Sequence, residues 1–109
     1  MSSFQPDACR KSIRSLYADD PEIHDIVVEF VDEMPARIEA GQRAFMRGDL
    51  LRLHFWAHQL KGGASGYGFP TISERAAELE TAIVDHRSLD EIFTCMLRVI
   101  DHCERASVI

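Results

Sequence analysis

The run Gly48-Asp49-Leu50-Leu51-Arg52-Leu53-His54-Phe55-Trp56-Ala57-His58-Gln59-Leu60-Lys61-Gly62-Gly63-Ala64-Ser65-Gly66-Tyr67-Gly68 holds a helix stop, a helix start and an apolar ridge. Gly48 is suited to end one helix. Asp49 is suited to cap the next by accepting a backbone N–H that the first turn leaves unpaired. Leu50, Leu53, Trp56, Ala57, Leu60 and Ala64 then recur at helical spacing, so one side of the segment is apolar. Tyr67 stays on that face, which predicts a helix continuing to about Tyr67 despite glycines at 62, 63, 66 and 68. Each interior glycine costs a helix roughly 1 kcal/mol relative to alanine. A sequence that offends local propensity so openly marks a place to look for function.

The same period recurs on both sides. Upstream, Ile23, Val27, Phe30, Met34, Ile38 and Phe45 form a stripe to about Arg47, with Glu22, Asp25, Glu29, Asp32 and Glu33 largely off it. Asp20-Pro21 reads as a cap followed by proline in the first turn. Pro35 falls inside the segment, and because the stripe keeps its phase across it, one kinked helix is expected. Downstream, Gly68 to Pro70 marks a turn into a third helix carrying Ile72, Ala76, Leu79 and Ile83 and fading near His86. Ser88 and Glu91 form a capping box for a fourth, with Leu89, Ile92, Phe93, Met96, Val99 and Ile100. No period-two alternation is sustained, so strands are not expected. The pattern describes an all-α protein, an antiparallel up-down four-helix bundle over residues 20–109. Residues 1–19 read as a polar leader in which Ile13, Leu16 and Tyr17 suggest a short extra helix.

Composition narrows the function. The 109 residues are 46% hydrophobic and 28% charged, ordinary for one globular domain. Twelve basic against eighteen acidic residues give a net charge of −6, which disfavours general binding to nucleic acid or an anionic membrane. No apolar run approaches the roughly 20 residues that span a bilayer, and no secretory signal is present. Cys9, Cys95 and Cys103 are an odd number without a C-x-x-C pair, so reduced thiols in a cytoplasmic protein are expected.

The chemistry gathers on the polar side of the glycine-rich helix. His54, His58, Lys61, Gly62 and Ser65 share a face opposite Leu53, Trp56 and Leu60. His24, His86 and His102 read as plain surface histidines. His58 differs, because Lys61 lies one turn on and glycine follows. A neutral imidazole offers a lone pair to phosphorus, and a nearby ammonium offsets the charge that arrives. Phosphoryl transfer asks the protein for little beyond such positioning and charge compensation. No nucleotide site accompanies it. A phosphate-cradling Walker loop needs lysine after its last glycine, and here Lys61 precedes them.

The run Ala57-His58-x-Leu60-Lys61-Gly62, with Gly68 ten residues past the histidine and Leu79-Glu80 beyond, resembles the histidine phosphotransfer (HPt) domain of multistep phosphorelays. The Met34-Pro35 step in an acidic helix and the Gly48-Asp49 turn agree, so the resemblance covers roughly residues 20–106. It implies a four-helix bundle with His58 as the exposed phosphorylation site and Lys61 assisting the phosphate. It further implies that Gly62 and Gly68 let a receiver domain dock, with His54, Gly63 and Ser65 on the same partner-binding face. Gly63 stands where many members carry serine or alanine, so a hydroxyl contact near the phosphate is either missing or moved to Ser65. Glu80 stands where some members have a glutamine that hydrogen-bonds the histidine ring, and is a candidate for orienting it. The resemblance implies receiver domains and a hybrid sensor histidine kinase as partners, with the receiver supplying the divalent metal and no cofactor bound here. A monomer is expected.

Two other readings stay open. The bundle could bind receivers without carrying phosphate. Alternatively, His54 and His58 at i, i+4 could share a metal, although no third ligand has an obvious spacing.

Overall fold

The computed structural model describes residues 11–109. Five α-helices follow one another: α1 His24–Asp32, α2 Met34–Met46, α3 Leu50–Gly63, α4 Pro70–Val84 and α5 Leu89–Arg105. A two-residue strand precedes them (β1, Ile13–Arg14) and another follows (β2, Ala106–Ser107). Consecutive helices with short connections lie as antiparallel neighbours: α3 packs on α4, α4 on α5, and α2 closes the square against both α3 and α5. The bundle is that of the sequence pattern, with its first long segment in two pieces.

Pro35 explains the division. It has no N–H to give the carbonyl of Val31, so the helical ladder breaks and Glu33 sits between α1 and α2. Proline then occupies the first turn of α2, where the missing donor costs nothing. The chain holds two helices meeting at Glu33 in place of one kinked helix. Asp20 also acts earlier than expected. Its carboxylate accepts the N–H of Glu22 at 2.9 Å and its carbonyl that of His24 at 2.8 Å, making a turn before α1 rather than the first turn itself.

The core is the expected stripes brought together. Val27, Phe30, Met34, Leu53, Trp56, Leu60, Ile72, Leu79, Ile92, Met96 and Val99 are all buried. Asp49 caps α3 by accepting the N–H of Arg52 at 3.0 Å, and Ser88 caps α5 by accepting that of Glu91 at 3.1 Å. Leu89 and Phe93 depart from the expectation, since both are exposed. Trp56 donates its indole N–H to the carbonyl of Arg37 at 2.8 Å. Gly41 of α2 makes room for that ring, because a Cβ there would lie 2.5 Å from it.

The front of the chain is a strap rather than a helix. β1 pairs in parallel with β2, Ile13 opposite Ala106 and Arg14 opposite Ser107, while Leu16 and Tyr17 lie in the turn that follows. Ser15 is buried against the end of the histidine-bearing helix. Its hydroxyl donates to the carbonyl of Tyr67 at 2.6 Å, and the N–H of Leu16 donates to that of Gly68 at 3.0 Å. Residues 1–10 of the expected leader, with Cys9, lie outside the described residues. Cys95 and Cys103 are free, and burial pushes the Cys103 thiol up to about 12.

Candidate phosphohistidine site

Helix α3 presents the site and α4 completes it. The apolar ridge of α3 faces the bundle, so His54, His58 and Lys61, each one turn apart, are left along its outer edge toward α4. Glu80, on α4 beside buried Leu79, reaches across to all three. Its Oε2 lies 2.7 Å from His58 Nδ1 and 3.5 Å from His54 Nε2, and Lys61 Nζ donates to Oε1 at 2.5 Å. The Glu80 side chain is 13% exposed and that of His58 60%, so the carboxylate forms the floor of the site and the imidazole its tip. His54 and His58 lie nearly parallel, ring centroids 6.3 Å apart.

This geometry assigns the imidazole's two nitrogens different work. The Lys61 ammonium, and after it the His58 hydrogen bond, hold the Glu80 carboxyl below the usual carboxylate range. An ionised carboxylate only accepts hydrogen bonds, so Nδ1 must carry the proton and donate it to Glu80. The neutral ring then keeps its lone pair on Nε2, which makes no hydrogen bond among the described residues and faces solvent. A partner on one ring nitrogen thus fixes the tautomer and leaves the lone pair of the other nitrogen uncommitted. The other histidines lack this arrangement. Nδ1 of His24 is taken up by the Ala18 carbonyl and that of His102 by the Arg98 carbonyl, while His86 sits in the turn after α4.

The glycines separate into two kinds. At Gly62, Gly63 and Gly66 a Cβ would meet nothing within 4 Å, so packing gives no reason for glycine there. Gly68 is the opposite. It is buried under the strap in a left-handed conformation at φ +88°, where a Cβ would lie 2.3 Å from Ser15 Oγ and 2.7 Å from the Leu16 backbone nitrogen. The docking clearance expected of Gly68 is therefore corrected: the residue it admits is Ser15 of its own chain. Ser65 is exposed where the helix tightens into a 3₁₀ turn (Ala64–Tyr67), and takes no part in the hydrogen bonds around Glu80.

Sequence reasoning passed over two supports. Ser73 of α4 is buried, accepts the N–H of Ser65 at 2.9 Å and donates to the carbonyl of Leu60 at 3.5 Å, stitching the end of α3 to α4. Its place on the apolar stripe face of α4, next to Ile72, was the available signal. Ser15 left none, since a serine in a polar leader looks solvated. Beside His58, on the α2 side of α3, Leu51, Phe55, Trp56 and Gln59 line a shallow groove with Leu51 and Phe55 exposed.

Among the described residues no group of three or more His, Cys, Asp or Glu side chains is placed to hold a metal ion, and the shared-metal reading lacks its third ligand. No helix among them is long and apolar enough to cross a membrane. The Hpt domain family model matches residues 25–107, most of the chain, and the protein belongs to that family of histidine phosphotransfer domains. Histidine phosphotransfer within phosphorelays, with receiver domains and kinases as partners, is the function this membership carries. Neither a curated protein nor a solved structure matches the chain.

Proposed function

We propose that His58 is the phosphorylated residue, taking its phosphoryl group from an aspartyl phosphate on one receiver domain and passing it to another. The observation that carries this is the Nδ1–Glu80 hydrogen bond of 2.7 Å on a histidine whose Nε2 is open. The Nε2 lone pair forms the P–N bond as the P–O bond to the aspartate breaks, and that bonding pair leaves on the aspartyl carboxylate. The ring becomes cationic, and Glu80 retains the Nδ1 proton. In the return direction the same proton makes neutral imidazole the leaving group. Glu80 lies on the Nδ1 side of the ring, away from the entering charge, and Lys61, which holds Glu80 Oε1 one turn along the helix from His58, supplies the charge that offsets the phosphate. The receiver brings the divalent cation, and no cofactor of this chain takes part.

Docking rests on the open glycines and the groove. Gly62 and Gly63 follow Lys61 on the histidine helix and Gly66 lies one turn further, sacrificing helix propensity for a bare surface. Leu51 and Phe55 add exposed apolar area on the other flank of His58. A hybrid sensor kinase carrying its own receiver suits this surface, as does a cytoplasmic site of action. Mixing the protein with a phosphorylated receiver and recording intact mass tests the reading. The expected result is a gain of one phosphate that disappears in acid and in His58→Ala. Acceptance that persists in His58→Ala, with the fold intact, refutes it, and receiver binding without phosphate gain would leave a phosphate-independent adaptor.

A further inference from the structure

Gly63 has no explanation in the fold of its own helix. Its φ of −105° is open to any residue, a Cβ there would meet nothing within 4 Å, and glycine weakens the end of α3. It also faces away from the histidine. Gly62 lies one turn after His58, whereas Gly63 lies one turn after Gln59 and two turns after Trp56, on the side of α3 that turns toward α2. There a cleft runs between the two helices, walled by Phe30, Arg37, Trp56, Gln59 and Tyr67, and half-buried Gly63 leaves its α3 side open. Ala40, Trp56 and Gln59 also line the groove of Leu51 and Phe55, so cleft and groove form one channel that starts beside His58.

The walls set the chemistry of what enters. Phe30 is held between neighbours, its ring centroid 4.4 Å from that of Tyr67 and 5.8 Å from that of Phe69, with the Arg37 guanidinium 4.6 Å away. Among the described residues Arg37 is the only charged side chain on the wall, and it is already committed. It donates to the Glu33 carboxylate at 2.9 Å and to the Phe30 carbonyl at 3.2 Å. The Trp56 indole N–H is taken by the Arg37 carbonyl. What remains facing the cleft is aromatic surface and the Gln59 amide, which has no hydrogen-bond partner among the described residues. A preformed apolar slot with one free amide suits an apolar side chain and offers an anion nothing.

Phosphoryl transfer decides whose side chain that is. A receiver has to bring its aspartyl phosphate to Nε2 of His58, and a standard interface covers roughly 800 Å² per partner, a disc of about 16 Å radius. Gly63 lies five residues from His58, roughly 8 Å along the helix, so a receiver centred on the histidine covers the cleft as well. We infer that the cleft is the receiver's anchor pocket, which takes one leucine, isoleucine, methionine or phenylalanine side chain between α2 and α3, and that residue 63 is glycine to admit it. A single slot of this kind ties the choice of partner to one receiver side chain. The inference takes its partner from the phosphotransfer reading, so binding and transfer are measured separately.

The probe is a receiver domain titrated into the full chain by calorimetry, with transfer followed over receiver concentration. Gly63→Leu, whose side chain fills the slot, should bind at least tenfold more weakly and raise KM to match. Its kcat at saturating receiver should hold, because His58, Lys61 and Glu80 are untouched. Ala40→Leu, which fills the same slot from exposed α2, should act alike, so the proposal does not hang on one position near a helix end. Replacing the receiver's exposed leucine, isoleucine, methionine and phenylalanine residues by alanine, one at a time, should find one whose loss weakens the wild type at least tenfold and the filled variants hardly at all. Filled variants that fold and bind like the wild type, or a scan in which every loss is equal in both, overturn the pocket and leave phosphotransfer standing. The expected binding pattern without any gain of phosphate overturns the phosphotransfer reading alone. A wild type that binds no receiver overturns both.

Discussion

Replacing Gly68 by alanine separates two roles that a glycine near a docking surface can have. The φ of +88° places it where an L side chain costs about 1–2 kcal/mol. The new Cβ would also stand 2.3 Å from Ser15 Oγ and 2.7 Å from the Leu16 backbone nitrogen, and the second of these cannot rotate away. Overpacking of this kind adds about 1–3 kcal/mol. Alanine's lower entropy in the unfolded chain returns about 0.4–1 kcal/mol. The net loss is about 1–4.6 kcal/mol, which for a domain of this size lowers the melting temperature by roughly 4–20 °C. Thermal unfolding by circular dichroism measures it, with receiver transfer assayed in parallel well below the melting point. In a Ser15→Gly background Gly68→Ala should cost less, because one of its two clashes is gone while the φ strain stays. A variant that melts like the wild type yet no longer accepts phosphate would refute this reasoning and return Gly68 to the docking surface.

Gly62→Ala, with open space at the Cβ and ordinary helical backbone, should stabilise the fold by up to about 1 kcal/mol, read from the denaturant midpoint. Gly62→Leu should fold as well and block receiver binding through bulk alone, so normal affinity in a titration would sink the clearance argument. Lys61→Ala should retain receiver binding and slow transfer about 10- to 100-fold, roughly 1.4–2.7 kcal/mol of barrier, measured by rapid quench. The depressed Glu80 carboxyl stabilises the fold above its ordinary value of 4.5, and that contribution is lost as pH falls below it through the folded value. The melting difference between wild type and Glu80→Gln should therefore be full at neutral pH and shrink in acid, and a difference constant down to pH about 3 would contradict it.

Much of the bundle is legible because helical periodicity and caps are local. The stripes of α3 and α4 are buried as their spacing demands, and Asp49 and Ser88 cap where composition places them. What the sequence does not reveal depends on partners distant in the chain. Ser15 and Gly68 are meaningful only together, 53 positions apart, as are Gly41 and Trp56 across two helices. Leu89 and Phe93 fit the helical period of α5 almost as well as Ile92 does, and only the position of α2 decides that they face outward. Within the site, His58 and Lys61 were readable from one turn of helix. The central place of Glu80 was not, because it comes from how α4 lies along α3.

The single tryptophan gives the protein a built-in optical probe. Trp56 is buried at the α2–α3 seam, its indole tied to the Arg37 carbonyl, two residues before His58. Its edge also lines the groove with Leu51 and Phe55. A receiver settling there would change the surroundings of this one fluorophore, so its emission can follow complex formation without a label. Unfolding would strip the same indole of its carbonyl partner and expose it to water, giving a larger red shift. One intrinsic signal therefore reports two separate events.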